Sequence, residues 1–378
     1  MVMVDYLFIY CSSFVSLCVD VGKLKADCQF KLNCRFKGKW YSLSIDHWTA
    51  DSKESYVAVT ANFIEDWKMV SVVLCCSRHF GSSEAGDIVE ELFKESDVTY
   101  TGLDRSKCMG VTSDTAANMV SAGRGLEAVD VDWIGCFAHI IELTTGLAFD
   151  DEHLPNCDDV MSSARALNGF FAKSNQALEI LKDLQTQAGI RRALSVIQDV
   201  VTRWWSTHQS LERLLKLKSH IEYGFATAKW NRTLTADQWT TIERIVAVLE
   251  PFKAVQKLLE GDSYVTISLV PTTVIQLRVQ LQAVIDDEIN PPGVRNLGRV
   301  LLEDFNIRWG TGEPGTIVYE HQTRGPRQRP KGIPLKTLLA SAVDPRTHRL
   351  GVFPAQDRDD LKREFRKFII AFETKFPR

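Results

Sequence analysis

Hydrophobic and polar positions alternate in three short segments of the first hundred residues, and this period of two predicts β-strands. The segments run from Trp40 to Ile45, from Tyr56 to Phe63 and from Met69 to Cys76. Each is rich in β-branched or aromatic residues. The turn Ile64-Glu-Asp-Trp67 joins the second segment to the third. The pattern therefore predicts a meander of three strands.

The next part of the chain alternates strand and helix patterns. Ser83 can cap a helix with one apolar stripe, and a strand from Cys108 to Thr112 leads directly to Asp114. A strand from Val131 to Gly135 then precedes a helix from Cys136 to Leu147. This order predicts an α/β unit with a mixed sheet, as in RNase H-like nucleases. In such a sheet the first and fourth strands pair in parallel, which brings Asp46 and Asp114 to one edge.

A helical region follows, with apolar positions at helical spacing and with Pro251, Pro271 and Gly261 as punctuation. Long helices with short joints predict a bundle. The predicted helices are 158–186, 206–230, 236–260, 266–288 and 294–309, with two more at 335–342 and 356–375. The predicted division is 1–38 (divergent N-terminal segment), 39–154 (α/β core), 155–309 (helical insertion), 310–334 (mobile loop) and 335–378 (C-terminal helices).

Two aspartates, Asp46 and Asp114, each come directly after a strand pattern. Mg²⁺ prefers carboxylate, phosphate and water oxygens, so a pair of carboxylates at neighbouring strand ends could hold a divalent cation for phosphoryl transfer. An aspartate at a strand end can equally form a turn or cap a helix. His47 beside Asp46 either orients a metal-bound water or is an ordinary surface histidine.

Six short segments, in order along the chain, resemble the hAT superfamily of cut-and-paste DNA transposases and the host proteins derived from them, including the BED-finger group. They are Asp46-His-Trp48-Thr49, Ile64-Glu-Asp-Trp67, Ser113-Asp114-Thr-Ala-Ala-Asn118, Cys136-Phe-Ala-His139, Thr202-Arg203-Trp204-Trp205-Ser-Thr and Leu339-Ala-Ser-Ala-Val-Asp344-Pro-Arg346. The resemblance implies an RNase H-like fold interrupted by an all-helical insertion.

The same resemblance implies roles for individual residues. Asp46 and Asp114 would be the first two catalytic, metal-binding aspartates, with Mg²⁺ or Mn²⁺ as the cofactor, and Arg203, Trp204 and His139 would contact nucleic acid. Trp204 could receive a base by stacking or could simply anchor the following helix. Trp205 stands where relatives often have Asn. The partner would be DNA, and the location the nucleus.

Three departures from the family stand beside these matches. The third catalytic carboxylate, in a stretch like Ser-x-x-Glu-Arg-x-Phe-Ser, has no match, because Glu364 lies in Lys-Arg-Glu-Phe-Arg-Lys. No zinc-finger spacing of cysteines and histidines is found, so a BED finger is not expected. The C-terminal dimerisation region of the family is also not expected, which predicts a monomer or weak self-association and a chain inactive in strand transfer.

Composition narrows the class of protein further. Hydrophobic residues at 45% and charged residues at 25% are typical of a folded soluble chain, and nine cysteines in no paired spacing favour a reduced compartment. The net charge of −3 is uneven, because residues 321–378 hold 14 basic and six acidic residues. The apolar run Tyr6 to Val19 is too short to span a bilayer and lacks a basic start, so no membrane association is expected.

These observations lead to one function and two alternatives. We expect a transposase-derived protein that binds DNA or nuclear partners without strand transfer. A fragment of an active transposase would instead require the missing stretch to be encoded nearby. A metal-dependent nuclease would use Asp46, Asp114 and a substitute carboxylate such as Asp51 or Glu142.

Overall fold

The structure is a computed structural model that describes most of the chain after residue 37. The described residues fall into two compact units, which divide after Cys136. The N-terminal segment up to residue 37, the helix predicted from Ser83 and nearly all of the predicted loop lie outside them. The described ranges are 38–49, 52–78, 105–127, 131–147, 158–199, 204–261, 263–309, 333–353 and 355–375.

The first unit contains a mixed sheet with the spatial order β3-β2-β1-β4-β5 in the described residues. The first three strands are antiparallel neighbours, and β4 pairs with β1, and β5 with β4, in parallel. The predicted meander and the parallel pairing of the first and fourth strands are therefore confirmed. The strands are β1 (Tyr41–Thr49), β2 (Ser55–Glu65), β3 (Lys68–Arg78), β4 (Cys108–Ser113) and β5 (Trp133–Gly135), with helix α1 (Ala117–Glu127) between the last two.

The two faces of this sheet differ in polarity, because alternate residues of a strand point to opposite sides. One face buries an apolar cluster that includes Leu43, Phe63 and Val111, together with Met119 of α1. Helix α1 approaches the sheet closely at Gly123, where a Cβ atom would lie 2.3 Å from the Trp133 ring. Only glycine fits this contact, so it sets the distance between helix and sheet.

The opposite face carries a ladder of hydrogen bonds between side chains of three strands. The Asn62 amide donates to the Ser44 hydroxyl at 3.0 Å and accepts from the Ser71 hydroxyl at 2.7 Å. At the far end of β2 the chain reverses through Asp66 and Trp67, both with positive φ. Trp67 is 99% exposed there, so it contributes nothing to the core.

The elements of the second unit that fall in the described ranges are helices, as the pattern predicts, together with one turn of 3₁₀-helix at Ile267–Leu269. No described helix is both long enough and apolar enough to cross a membrane. The helices are α2 (Phe137–Gly146), α3 (Asp158–Lys173), α4 (Asn175–Gln187), α5 (Trp204–Ala228), α6 (Ala236–Leu259), α7 (Val270–Asp286), α8 (Pro292–Trp309), α9 (Leu335–Val343) and α10 (Ala355–Lys375).

The largest difference from the predicted helices is a break within 158–186. The hydroxyl of Ser174 accepts a hydrogen bond from the backbone of Ala177 and caps α4, so the region forms two helices. Pro251, in contrast, does not end a helix and lies inside α6. The apolar periodicity continues through this proline, and burial of Val248, Leu249 and Phe252 outweighs the one backbone hydrogen bond that proline removes.

Buried aromatic residues hold the second unit together. Trp239, Phe252, Phe305 and Trp309 are at most 2% exposed. Phe137 stacks on Trp309 with ring centroids 5.0 Å apart, which packs α2 onto α8. Helix α2 is therefore counted with the helical unit, whereas the sequence division joined it to the α/β core up to residue 154. That predicted boundary stays a prediction.

The segment resembling Leu-Asp-Pro-Arg forms a polar clasp after α9. The guanidinium of Arg346 donates to both carboxylate oxygens of Asp344, and the Ser268 hydroxyl donates to the same carboxylate. Arg346 also donates to the carbonyl of Val265 at 2.5 Å and lies over the Tyr264 ring. The clasp ties the end of α9 to the loop that follows α6.

Candidate functional site

The parallel pairing of β1 and β4 positions the two predicted aspartates. In the register, Leu43 pairs with Val111 and Ser44 pairs with Thr112. Continuing this register by two residues sets Asp46 beside Asp114. Neighbouring parallel strands place such residues at one edge of a sheet. Asp46 lies within β1, which continues to Thr49 while paired with β2, and not directly after the strand as the sequence pattern predicted. Asp114 does follow β4, which ends at Ser113.

The charges of the two side chains interact. Partial burial raises the pKa of the Asp46 carboxyl above its ordinary value, and the neighbouring Asp114 carboxylate raises this pKa further. His47 acts in the opposite direction, through its charge and a backbone hydrogen bond. Two like charges that raise a pKa in this way favour either a shared proton or a shared cation.

Asp114 also has a local structural role. Its Oδ1 accepts a hydrogen bond from the backbone N–H of Ala116 at 2.9 Å, just before α1 begins at Ala117. This contact is the turn-forming alternative that the sequence left open, because the side chain accepts from the N–H two residues later and the residue that caps α1 is Ala116. It occupies one carboxylate oxygen only, so the turn does not prevent Asp114 from contacting a cation.

Trp48, which trails Asp46 in the transposase-like segment, packs within the sheet. Its ring stacks on Tyr56 of β2, with centroids 5.6 Å apart and planes 16° from parallel. Tyr56 donates to Glu54, which also pairs with Arg78. This group stabilises the end of the strand that carries Asp46.

The second unit contains a separate polar cluster, which we call the Gln256 cluster (Glu142, Trp205, Gln256 and Glu260). Gln256 is 4% exposed, and its amide donates to Glu142 at 2.6 Å and to Glu260 at 2.7 Å. The amide oxygen accepts from the Trp205 indole at 2.7 Å. The cluster thereby joins α2, α5 and α6.

His139 lies one helical turn before Glu142 on α2, and its Nδ1 is 3.9 Å from a Glu142 oxygen. Partial burial raises the pKa of Glu142; the hydrogen bond from Gln256 lowers it, and the charge of Glu260 raises it. His139 therefore stands next to a carboxylate that neighbouring groups hold in place. The sequence suggested His139 as a site residue. Nothing in the spacing of residues indicated that Gln256 and Glu260 would lie beside Glu142.

Of the other predicted nucleic-acid residues, Arg203 falls outside the described residues, and Trp204 is the first residue of α5. Trp205 donates through its indole to Gln256 and meets the ring of His208 edge to face. Where the resemblance led us to expect Asn, this residue supplies one hydrogen-bond donor and an aromatic contact. The contacts of Arg203, Trp204 and His139 with nucleic acid stay a prediction.

The positive charge of the C-terminal segment is less concentrated on its helix than the total suggests. Helix α10 carries six basic and five acidic residues. Lys362, Arg363 and Lys367 each pair with an acidic residue three positions earlier. One of these acids is Glu364, the late carboxylate considered in the sequence. The excess charge therefore lies mainly in residues 321–349, much of which is outside the described part.

The donor set at the sheet edge consists of two hard oxygen ligands, which suit Mg²⁺ or Mn²⁺. In the described ranges, no group of three or more His, Cys, Asp and Glu residues is arranged to hold a metal ion. Asp51, one substitute carboxylate, lies outside those ranges. Glu142, the other, is already bonded to Gln256 in the second unit. Asp46 and Asp114 would therefore share a cation with water or phosphate oxygens.

Part of the helical unit is similar to a known family of domains. Residues 134–248 match the family model described as the ZBED1 RNase-like helical domain. This match covers most of β5 and the helices from α2 into α6, including Glu142 and Trp205 of the Gln256 cluster. The helical region is thus similar to a domain of the BED-finger group, in agreement with the family that the sequence resembles.

Two individual proteins are similar to the chain over longer stretches. One, from Talaromyces stipitatus, is named "Putative transcriptional regulator tpeD"; it is 26% identical over 61% of this chain and 31% of its own length. The other is human zinc finger BED domain-containing protein 4, 24% identical over 56% of this chain and 18% of its own length. The chain spans less than a third of these relatives. Together the similarities support a transposase-derived protein of the BED-finger group.

Proposed function

We propose that this chain is a transposase-derived, nuclear DNA-binding protein that holds a divalent cation with Asp46 and Asp114 and carries out no strand transfer. The observation that carries the proposal is the β1–β4 register, which brings the two carboxylates of the transposase-like segments to one sheet edge. The similarity to a fungal protein named as a transcriptional regulator supports a role in DNA binding. An RNase H-like core with a helical insertion is the fold that we propose for it.

The cation would be Mg²⁺ or Mn²⁺, and it would supply positive charge against a nucleic-acid phosphate. This chain would contribute one carboxylate from each strand. The raised pKa of Asp46 supports the assignment, because a cation relieves the repulsion that Asp114 creates. The bond from Ala116 holds the Asp114 carboxylate in one orientation.

DNA contact would come from two parts of the chain. Arg203, Trp204 and His139 would contact bases or phosphates, with the Trp204 ring stacking on an unpaired base. Arg324, Arg327 and Arg329 would attract the phosphate backbone without reading sequence. The expected affinity is therefore weak and sensitive to salt.

Fluorescence anisotropy with labelled duplex and single-stranded DNA tests DNA binding. Charge reversal at Arg324, Arg327 and Arg329 should weaken binding and reduce the salt slope by about 0.9 for each phosphate that is no longer neutralised. Reversal at Arg191, Arg192 and Arg232, which are exposed elsewhere on the helical unit, is the matched control. Binding that survives the first change and high salt would contradict the electrostatic account. No binding by the wild type at low salt would refute the DNA-binding proposal.

Calorimetry with MnCl₂ tests the cation site. Asp46→Asn should lower Mn²⁺ affinity by about tenfold or more, since it removes one of two charged ligands. Asp183→Asn, on the exposed side of α4, is the control. Equal Mn²⁺ binding by the wild type and Asp46→Asn would refute the site.

The same aspartate pair favours a second function, a metal-dependent nuclease. Supercoiled plasmid and oligonucleotides with inverted repeats, incubated with Mg²⁺ or Mn²⁺, separate the two functions. We expect neither nicking nor strand transfer. Nicking that disappears in Asp46→Asn would establish the nuclease and overturn the proposal of an inactive chain.

A further inference from the structure

We infer that Gln256 is a positioning residue, which fixes His139 on α2 relative to the start of α5 and so sets the geometry of the nucleic-acid surface. This inference rests on the proposed DNA contacts of His139 and Trp204 for its consequence. Its physical content, a coupling between two helices through one amide, stands on the side-chain contacts of the second unit. Those contacts lie within one compact unit.

Every bond of the Gln256 side chain runs to a different helix or a different turn. The amide oxygen accepts from Trp205 at 2.7 Å, and the amide nitrogen donates to Glu142 at 2.6 Å and to Glu260 at 2.7 Å. One acceptor and two donors are thereby used. Burial to 4% exposure and hydrogen bonds in three directions hold this side chain in place.

The chemistry of the partners allows only one orientation of the amide. The Trp205 indole can only donate, and an ionised carboxylate can only accept. A glutamate at position 256 would serve Trp205 but would repel Glu142 and Glu260. A methionine would fill the space but bond to none of the three. Glutamine is the residue of this length that satisfies all of them.

Each end of the cluster reaches a residue proposed to contact DNA. Glu142 lies 3.9 Å from the His139 ring and is held on its other side by Gln256. Trp205 directly follows Trp204, and its ring is fixed from one side by Gln256 and from another by the buried His208. Movement of the Gln256 amide would therefore shift the surroundings of His139 and the first turn of α5, to which Trp205 belongs.

A purely structural role predicts a different result from a positioning role, and the chain offers a matched control. Gln185 on α4 is also fully buried, and its amide bonds the backbone of Leu181 and Leu194 without reaching the Gln256 cluster. Gln256→Met and Gln185→Met make the same chemical change in the same unit. Both remove a buried amide, but only the first releases Glu142 and Trp205.

The direct test is NMR of protein labelled at histidine and tryptophan. Gln256→Met should shift the His139 ring signals and the Trp205 indole N–H signal, whereas Gln185→Met should leave both unchanged. Trp205→Phe, which keeps a ring but removes the donor, should also shift the His139 signals. Unchanged His139 signals in folded Gln256→Met, or equal shifts in Gln185→Met, would overturn the coupling.

DNA affinity measures the consequence. Gln256→Met should lower the affinity for single-stranded DNA about tenfold with an unchanged salt slope, because the phosphate contacts remain. The double variant Gln256→Glu with Glu142→Gln restores one amide–carboxylate bond and an acceptor for Trp205, and it should recover part of the affinity. Wild-type affinity in Gln256→Met would contradict a positioning role at the surface. If the wild type binds no DNA, the proposed function fails, and the NMR result still decides whether the coupling exists.

Discussion

The sheet edge and the Gln256 cluster each bring two carboxylates together, but different interactions place them. At the sheet edge, Asp46 and Asp114 are neighbours because their strands pair in parallel, and their charges repel. In the helical unit, Glu142 and Glu260 are neighbours because one amide bonds both. In the first arrangement the two carboxylates repel each other, and a bound cation would reduce this repulsion. In the second arrangement the Gln256 amide donates a hydrogen bond to each carboxylate, which offsets part of their repulsion.

This difference predicts opposite responses to substitution. Removing a charge at the sheet edge should increase the free energy of unfolding, whereas adding a charge to the Gln256 cluster should decrease it. Four substitutions, in decreasing order of expected effect, test this contrast.

Gln256→Glu should have the largest effect, a decrease of about 3 kcal/mol or more in the free energy of unfolding at pH 7. It places a third carboxylate beside two that no longer receive the amide hydrogen bonds. The new carboxyl would have a raised pKa in the folded state, so stability should recover as pH falls. Urea unfolding at several pH values measures this. Gln187→Glu, an exposed change on α4, should stay within about 0.5 kcal/mol of wild type, and an equal decrease there would break the contrast.

Asp344→Asn should cost about 1 to 3 kcal/mol, because it removes the charged acceptor of Arg346 and Ser268. The hydrogen bond from Arg346 holds the pKa of Asp344 well below its usual range. That stability is present above the unfolded pKa of about 3.9 and is lost as pH falls further. The clasp is a long-range polar contact of the same kind as the Gln256 cluster. A variant as stable as wild type in urea would show that such contacts position loops without stabilising the unit.

His208→Phe should flatten the acid side of the stability curve. Burial lowers the pKa of His208, the charge of Lys253 lowers it further, and Glu250, Glu212 and the Val246 backbone oppose this. A lowered pKa means that the unfolded chain binds the proton more readily. Wild-type stability should therefore fall as pH drops below about 6.5, by up to about 1.4 kcal/mol per pH unit. Thermal unfolding between pH 7 and pH 5 measures the slope, and an unchanged slope in the variant would assign the effect to another group.

Asp46→Asn should have the smallest effect and the opposite sign, a gain below about 1 kcal/mol at pH 7 without added metal. The folded state raises the pKa of Asp46, so its ionisation costs folding free energy as pH rises. Calorimetric unfolding with and without MnCl₂ measures the effect of the substitution and the effect of the metal. Without metal, the variant should unfold at a slightly higher temperature than wild type. Added Mn²⁺ should no longer stabilise the variant. Lower stability without metal would mean that the sheet edge, like the Gln256 cluster, already offsets the repulsion between its carboxylates.

Local pattern was sufficient for most of the secondary structure. Period-two segments predicted β1 to β3, and helical spacing predicted α5, α6 and α8 within a few residues, since burial of one face sets both periods. It was insufficient at Ser174, where a single side-chain hydrogen bond ends one helix and begins another. Apolar residues continue on both sides of that cap, so periodicity alone did not reveal the break.

The strand pattern and the order of the strands were enough to predict that Asp46 and Asp114 lie on neighbouring parallel strands, although Asp46 lies inside β1 and only Asp114 follows its strand. The Gln256 cluster, in contrast, could be recognised only in the folded structure. Trp205 and Glu142 lie 51 and 114 positions from Gln256 along the chain, and no periodicity connects a glutamine on α6 with a tryptophan on α5 and a glutamate on α2. A hydrogen bond between side chains forms only when donor and acceptor are placed to within a few tenths of an ångström, and the packing of the helices sets that placement.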